Sequence, residues 1–160
     1  MSFSWINVLV LGMVVLPVGC GFGESGPALV EATGVVNYAG KPLGGAIVTF
    51  IPKAEGVGSQ TASGMTNDAG EFRLKTGSRS GAVSGAYQVV VSKINPDSPL
   101  MKDPRELRKP QTKESTASTS LIPLSFADPT KSGFAAEVRK ENSNAFTIEL
   151  NENGEGKIAQ

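Results

Sequence analysis

Cys20 is the only cysteine in a chain of 160 residues that contains no histidine. One thiol cannot close an intrachain disulfide or a CxxC redox pair. Without imidazole there is no Ser-His-Asp or Cys-His triad and no histidine-ligated zinc or iron. Carboxylates, hydroxyls and amines are what remain. Asp68 and Asp128 offer hard oxygen atoms to calcium, but neither sits in a D-x-D-x-D-G series, so turn formation is the better account of both. Serines and lysines lie near each other in Ser80–Ser84 and Ser92-Lys93, the raw material of a Ser-Lys nucleophile, yet no positioned base or oxyanion motif accompanies them. Lys102, Arg105, Arg108, Lys109 and Lys113 give one stretch a basic lean that could meet anionic lipid, lipopolysaccharide or wall polymer. Asp103, Glu106 and Glu114 offset it, which favours a solvated loop. Overall charge is balanced, 15 Lys and Arg against 15 Asp and Glu, which argues against a nucleic-acid binder dependent on phosphate neutralisation. The residue types thus predict no catalytic residue, no metal and no cofactor.

The chemistry that does stand out is acylation of Cys20. Residues 1–19 carry no charged side chain, and Val8–Val18 is almost wholly apolar, the h-region of a secretory signal rather than the roughly 20 apolar residues of a membrane span. Leu16-Pro17-Val18-Gly19-Cys20 resembles a bacterial lipobox, in which a small residue precedes a cysteine that takes a diacylglyceryl group before the leader is removed. The pattern departs from that motif in having Pro17 where leucine is usual, with Leu16 one position further back, and in lacking a basic n-region. The alternative is an ordinary secretory signal cut nearby, with Cys20 incidental. Two or three acyl chains at Cys20, palmitate among them, would exceed the marginal anchoring of one, at about 0.8 kcal/mol per buried CH₂. The expectation is a lipoprotein on a bacterial membrane, facing the periplasm or the cell surface. Residues 20–29, with three glycines and a proline after the cysteine, read as a flexible tether.

Residues 30–151 read as strands. Apolar residues recur with period two and are cut every eight to twelve residues by Gly, Pro, Asn or Asp, the pattern of an all-β sandwich or barrel. Ala32–Tyr38 is the first strand, closed by a turn at Ala39-Gly40-Lys41-Pro42. Ala46–Ile51 is so rich in β-branched and aromatic residues that it is expected at the centre of a sheet with both faces covered. Thr61–Thr66 and Glu71–Thr76 are expected to form a hairpin around Asn67-Asp68-Ala69-Gly70, with Phe72 and Leu74 turned inward. Gly77–Ser84 reads as a loop. Tyr87, Val89 and Val91 share one face, and the Gly-x-Tyr start of that strand predicts a tyrosine corner. Phe134, Ala136 and Val138, then Phe146, Ile148 and Leu150, mark two closing strands joined by a turn at Glu141–Asn144. Residues 95–120 hold four prolines and a Ser/Thr run with few apolar residues, so they read as a mobile excursion, with one helical turn at most near Asp103–Glu106. The polar tail, 152–160, is expected to fray.

Three blocks carry a family resemblance. Thr33–Val36 with Gly40–Phe50, Thr66–Leu74 and Gly85–Val91 resemble, in order, the carboxypeptidase regulatory-like domain, and Ile122–Gly133 is similar to a segment of small bacterial lipoproteins built on it. The resemblance implies a transthyretin-like or Ig-like Greek-key β-sandwich of about seven strands and a non-catalytic, accessory role. A fold hosts many functions. The expectation is therefore a lipid-anchored envelope module binding a protein or glycan partner. A self-associating structural component, its edge strands pairing between copies, is the alternative; an enzyme with an unrecognised carboxylate or Ser-Lys site is the remote one.

Overall fold

The computed structural model describes residues 26–53, 59–98, 119–141 and 144–160. The leader, Cys20, the basic stretch at 102–113 and the helical turn expected near Asp103 lie outside the described residues. The chain is all-β. Its strands are β1 (Leu29–Val30), β2 (Ala32–Tyr38), β3 (Lys41–Pro42), β4 (Ile47–Pro52), β5 (Ala62–Met65), β6 (Glu71–Arg73) and β7 (Lys75–Thr76). They continue with β8 (Arg79–Ser80), β9 (Ala82–Val83), β10 (Gly85–Ser92), β11 (Phe134–Val138), β12 (Asn144–Leu150) and β13 (Gly156–Ala159). A 3₁₀ turn, Leu124–Ala127, seats the buried Phe126 ring against Phe134. A six-stranded sheet runs β11-β10-β4-β5-β7-β8, and a second runs β13-β12-β2-β3, with β6 also on β2.

The two sheets bury their inner faces on each other. Val48 and Phe50 from β4, and Tyr87, Val89 and Val91 from β10, meet Val36, Phe72, Phe146 and Ile148 from the other layer. Alternation of buried and exposed residues is complete along β12, which is why its period-two pattern is readable in the sequence. Phe50 is the hub: its ring centroid lies 5.1 Å from Phe146, 5.8 Å from Tyr87 and 6.5 Å from Phe72, all tilted. Such tilted pairs satisfy the quadrupoles of the rings as well as burying area.

The tyrosine corner is present. Tyr87 is buried, and its hydroxyl donates to the Val83 carbonyl oxygen at 2.6 Å, four residues upstream. Burial raises the phenol above its ordinary pKa of 10.0. Because the folded pKa is the higher one, stability is intact below about pH 10 and falls as pH rises from the unfolded toward the folded value. Tyr87→Phe should therefore cost about 1 kcal/mol at neutral pH, a typical net hydrogen bond, and should flatten the alkaline limb of stability. Urea midpoints at pH 7 and pH 11 check both; midpoints identical to wild type at both would remove the role.

Several expectations change once pairing is known. Asn67-Asp68-Ala69-Gly70 does turn, with Gly70 at φ +76° and Asn67 Oδ1 accepting from the Ala69 and Glu71 amides. The strands on either side are not a hairpin, because β6 crosses to pair with β2 and only Ser63 and Lys75 meet across β5 and β7. Likewise β11 pairs with β10 while β12 joins β2 in parallel, so the turn after Val138 links two sheets. β4 is indeed central, between β10 and β5, but its outer face is only partly covered and Ile47 is 38% exposed. Gly77–Ser84 is not a free loop. Positive φ at Gly77 and Gly81 lets β8 fold back on β7 and β9 lie along β1. Leu29, the last residue of the expected tether, is thereby held in a strand opposite Val83. The tail is also pinned: β13 pairs with Thr147–Leu150 through the Asn151 turn, so backbone bonding orders a segment whose side chains are mostly polar. The base of the 95–120 excursion is tied too, by Ile94 opposite Ser120 and by the Asn95 amide on the Thr119 carbonyl at 2.7 Å.

Candidate functional site

A groove of about 650 Å³ lies on the outer side of the second sheet, reaching the corner where β5 and β6 meet. Its floor is β6-β2-β12, so three strands far apart in sequence hold it. Thr33 and Val35 on β2 face outward because Ala32 and Val36 face the core, and Thr147 on β12 lies directly opposite Val35. Arg73 and Glu71 come from β6, opposite Thr33 and Val35. Met65, 68% exposed, forms the rim at the corner. Glu71 Oε2 accepts from Asn67 Nδ2 at 2.9 Å, and Arg73 pairs with Glu31; both partnerships lie at the solvent face. The result is a rigid trough offering two hydroxyls, a carboxylate and a guanidinium beside an apolar rim. That set can hydrogen-bond a polar, hydroxyl- or amide-rich partner.

Gly34 explains how the floor is built. It faces inward between Phe72 on β6 and Phe146 on β12, and a Cβ there would stand 2.6 Å from the Phe72 ring. The Phe72 ring and the backbone carbonyl of Phe146 occupy the space a side chain would take, so the floor of the groove is closely packed from beneath.

Asn144 is a buried polar residue that turn reading in the sequence undervalued. Its Oδ1 accepts from the Arg139 amide at 2.8 Å, and its Nδ2 donates to the Arg139 carbonyl at 2.9 Å and toward the Glu31 carbonyl at 3.3 Å. Gln160 Nε2 reaches the same Oδ1 at 3.4 Å. One amide therefore clasps the start of β2, the end of β11 and Gln160. Thr66 does the same at the other end, accepting from the Ala46 amide at 2.8 Å and donating to the Leu43 carbonyl at 2.6 Å. An isolated polar residue at a strand end is the only sequence signal of either.

The other sequence-level candidates separate. Asp128 Oδ1 takes the Thr130 hydroxyl at 2.6 Å and the Thr130 amide at 2.9 Å, and these bonds, with Lys131 nearby, hold its carboxyl below the usual range. Its turn role accounts for it, and Asp68 lies on a different turn. Among the described residues no three carboxylate or thiol groups come together as a cation site. Ser92 faces outward at the end of β10, and the Lys93 carbonyl accepts from the Leu121 amide; Ser80 sits on β8 at the far edge of the same sheet. No described helix is long and apolar enough to cross a membrane. No family model, no curated protein and no solved structure matches the chain.

Proposed function

We propose that this chain is an exported, non-catalytic binding module, anchored by lipid at Cys20, and that the groove on the second sheet receives a protein or glycan partner. The observation that carries the reading is the groove itself: polar groups converge on a floor of paired strands, where rigidity lowers the cost of ordering on binding. We read the sandwich as transthyretin-like and related to the carboxypeptidase regulatory-like domain, supported by the tyrosine corner and by the turn at Asn67–Gly70, which fall where the resemblance expects them.

Topology supports a tethered arrangement. The chain comes into the sandwich through β1, beside Val83 and the start of β10, while the bridge of Ile94 to Ser120 lies at the opposite end, beyond Ser92. An eight-residue strand at about 3.3 Å per residue separates the two ends by roughly 26 Å. A bilayer at the first end would leave the second turned outward.

The test is capture from crosslinked envelopes. Thr147→Tyr, on an exposed outward position, fills the groove and should reduce the specific co-purifying partner at least ~10-fold while the thermal midpoint stays in place. Undiminished capture would sink the groove as the site. Cys20→Ser should leave the protein unprocessed or detached; unchanged fractionation and acyl labelling would remove the anchor.

A further inference from the structure

β11 closes one side of the six-stranded sheet, and β13, the edge of the second sheet, lies next to it. In an antiparallel pair, alternate residues of an edge strand turn their backbone groups to the neighbour and the rest turn theirs away. The Lys53 amide bonds the Ala86 carbonyl on the β4 side of β10, so it is Tyr87 and its alternates that turn to β11, where they meet Phe134, Ala136 and Val138. Ala135, Glu137 and Arg139 therefore face the open edge. At Arg139 the edge is already satisfied, because the Asn144 side-chain amide takes its N–H and its C=O together, at 2.8 and 2.9 Å. At Ala135 and Glu137 no described group takes either.

A cleft of about 360 Å³ lies along those same two residues. Ala136, between them, is half-buried and points inward, where Phe146 and Ile158 line the cleft beside it. The geometry points to this edge as the docking site for an extended segment of another protein, which adds a strand beside Ala135–Glu137 and sets one aliphatic side chain in the cleft. Two backbone bonds at Ala135 and two at Glu137 fix its register. In antiparallel pairing the segment residue opposite Ala136 turns its side chain to the same side as Ala136, and the short alanine side chain leaves the space for it.

Two observations select that occupant. The open groups recur as a donor and an acceptor on every second residue, which is the pattern another strand presents and a sugar does not. The cleft also needs a segment whose inward side chain is free. A folded second copy does not supply one from β11 or β13, since Ala136 and Ile158 already pack against its own core. This site is separate from the groove reading, because the groove lies on the outer face of β6, β2 and β12 rather than on the β11 edge.

The experiment is amide hydrogen exchange, read by NMR on the full chain in detergent micelles, with a blocked synthetic peptide Thr-Lys-Thr-Val-Thr-Lys-Thr as probe. In the free chain the Ala135 and Glu137 amides should exchange at least ~100-fold faster than those of Ala136 and Val138, which lie in the ladder with β10. Excess peptide should slow both at least ~10-fold. The same peptide N-methylated at the two threonines beside valine, or carrying aspartate in place of valine, should not. Ala135→Pro removes a donor from the open edge and none from the ladder, so it should weaken peptide binding at least ~10-fold with the thermal midpoint retained. Amides already protected in the free chain, protection that rises with protein concentration alone, or no slowing by the peptide would overturn the proposal. So would equal slowing by the altered peptides, or undiminished binding to a folded Ala135→Pro chain.

Discussion

Replacing Phe50 with alanine should lower the unfolding free energy by about 3–5 kcal/mol, the range for removing a buried phenylalanine. The ring is fully buried and touches Phe72, Tyr87 and Phe146, so its loss opens a cavity bounded by both sheets that no single strand can close. Domains of this size hold only about 5–15 kcal/mol in all. The melting temperature should accordingly fall by about 15 °C, and Phe50→Leu should recover more than half of the loss by refilling most of the volume. Urea denaturation of the three proteins measures this directly. A Phe50→Ala cost under about 1 kcal/mol would mean that the layers are not joined through this residue.

Gly34→Ala should be nearly as damaging, and here two physical effects predict opposite signs. Glycine in a strand interior is entropically poor, so alanine alone would stabilise by roughly 0.5–1 kcal/mol. The packing says otherwise. The new methyl group would stand 2.6 Å from the Phe72 ring and nearer still to the Phe146 carbonyl oxygen, which belongs to the backbone of β12 and cannot rotate away. Overpacking of this kind costs about 1–3 kcal/mol, and forced separation of a paired strand places this case at the upper end. A net loss of about 2–3 kcal/mol is expected, with distortion of the groove above it. A combined Gly34→Ala, Phe72→Leu chain should regain part of it if the ring is the obstacle. A stabilised single mutant would show that propensity wins and that β2 has room to shift.

The sequence was informative wherever the deciding interaction is local. Tyr87 and Val83 are four residues apart, and Asn67 bonds within its own turn, so both could be read from neighbouring residues. Alternation along Phe146, Ile148 and Leu150 likewise marks one face without knowledge of the partner strand. The groove was not legible. It depends on β12 lying parallel to β2, a pairing of segments about 110 residues apart, and on β6 leaving its sequence neighbour to join them.

Period, turn chemistry and burial tendency are carried by each short segment, so the chain alone determined that it would be all-β, which side chains would face the core and that Tyr87 would fasten to backbone. Which strands meet is a choice among nearly equivalent pleated edges. Only the tertiary structure made it, because the winning register is the one that lets Phe50, Phe72, Phe146 and Tyr87 fill one interior while Gly34 gives them room.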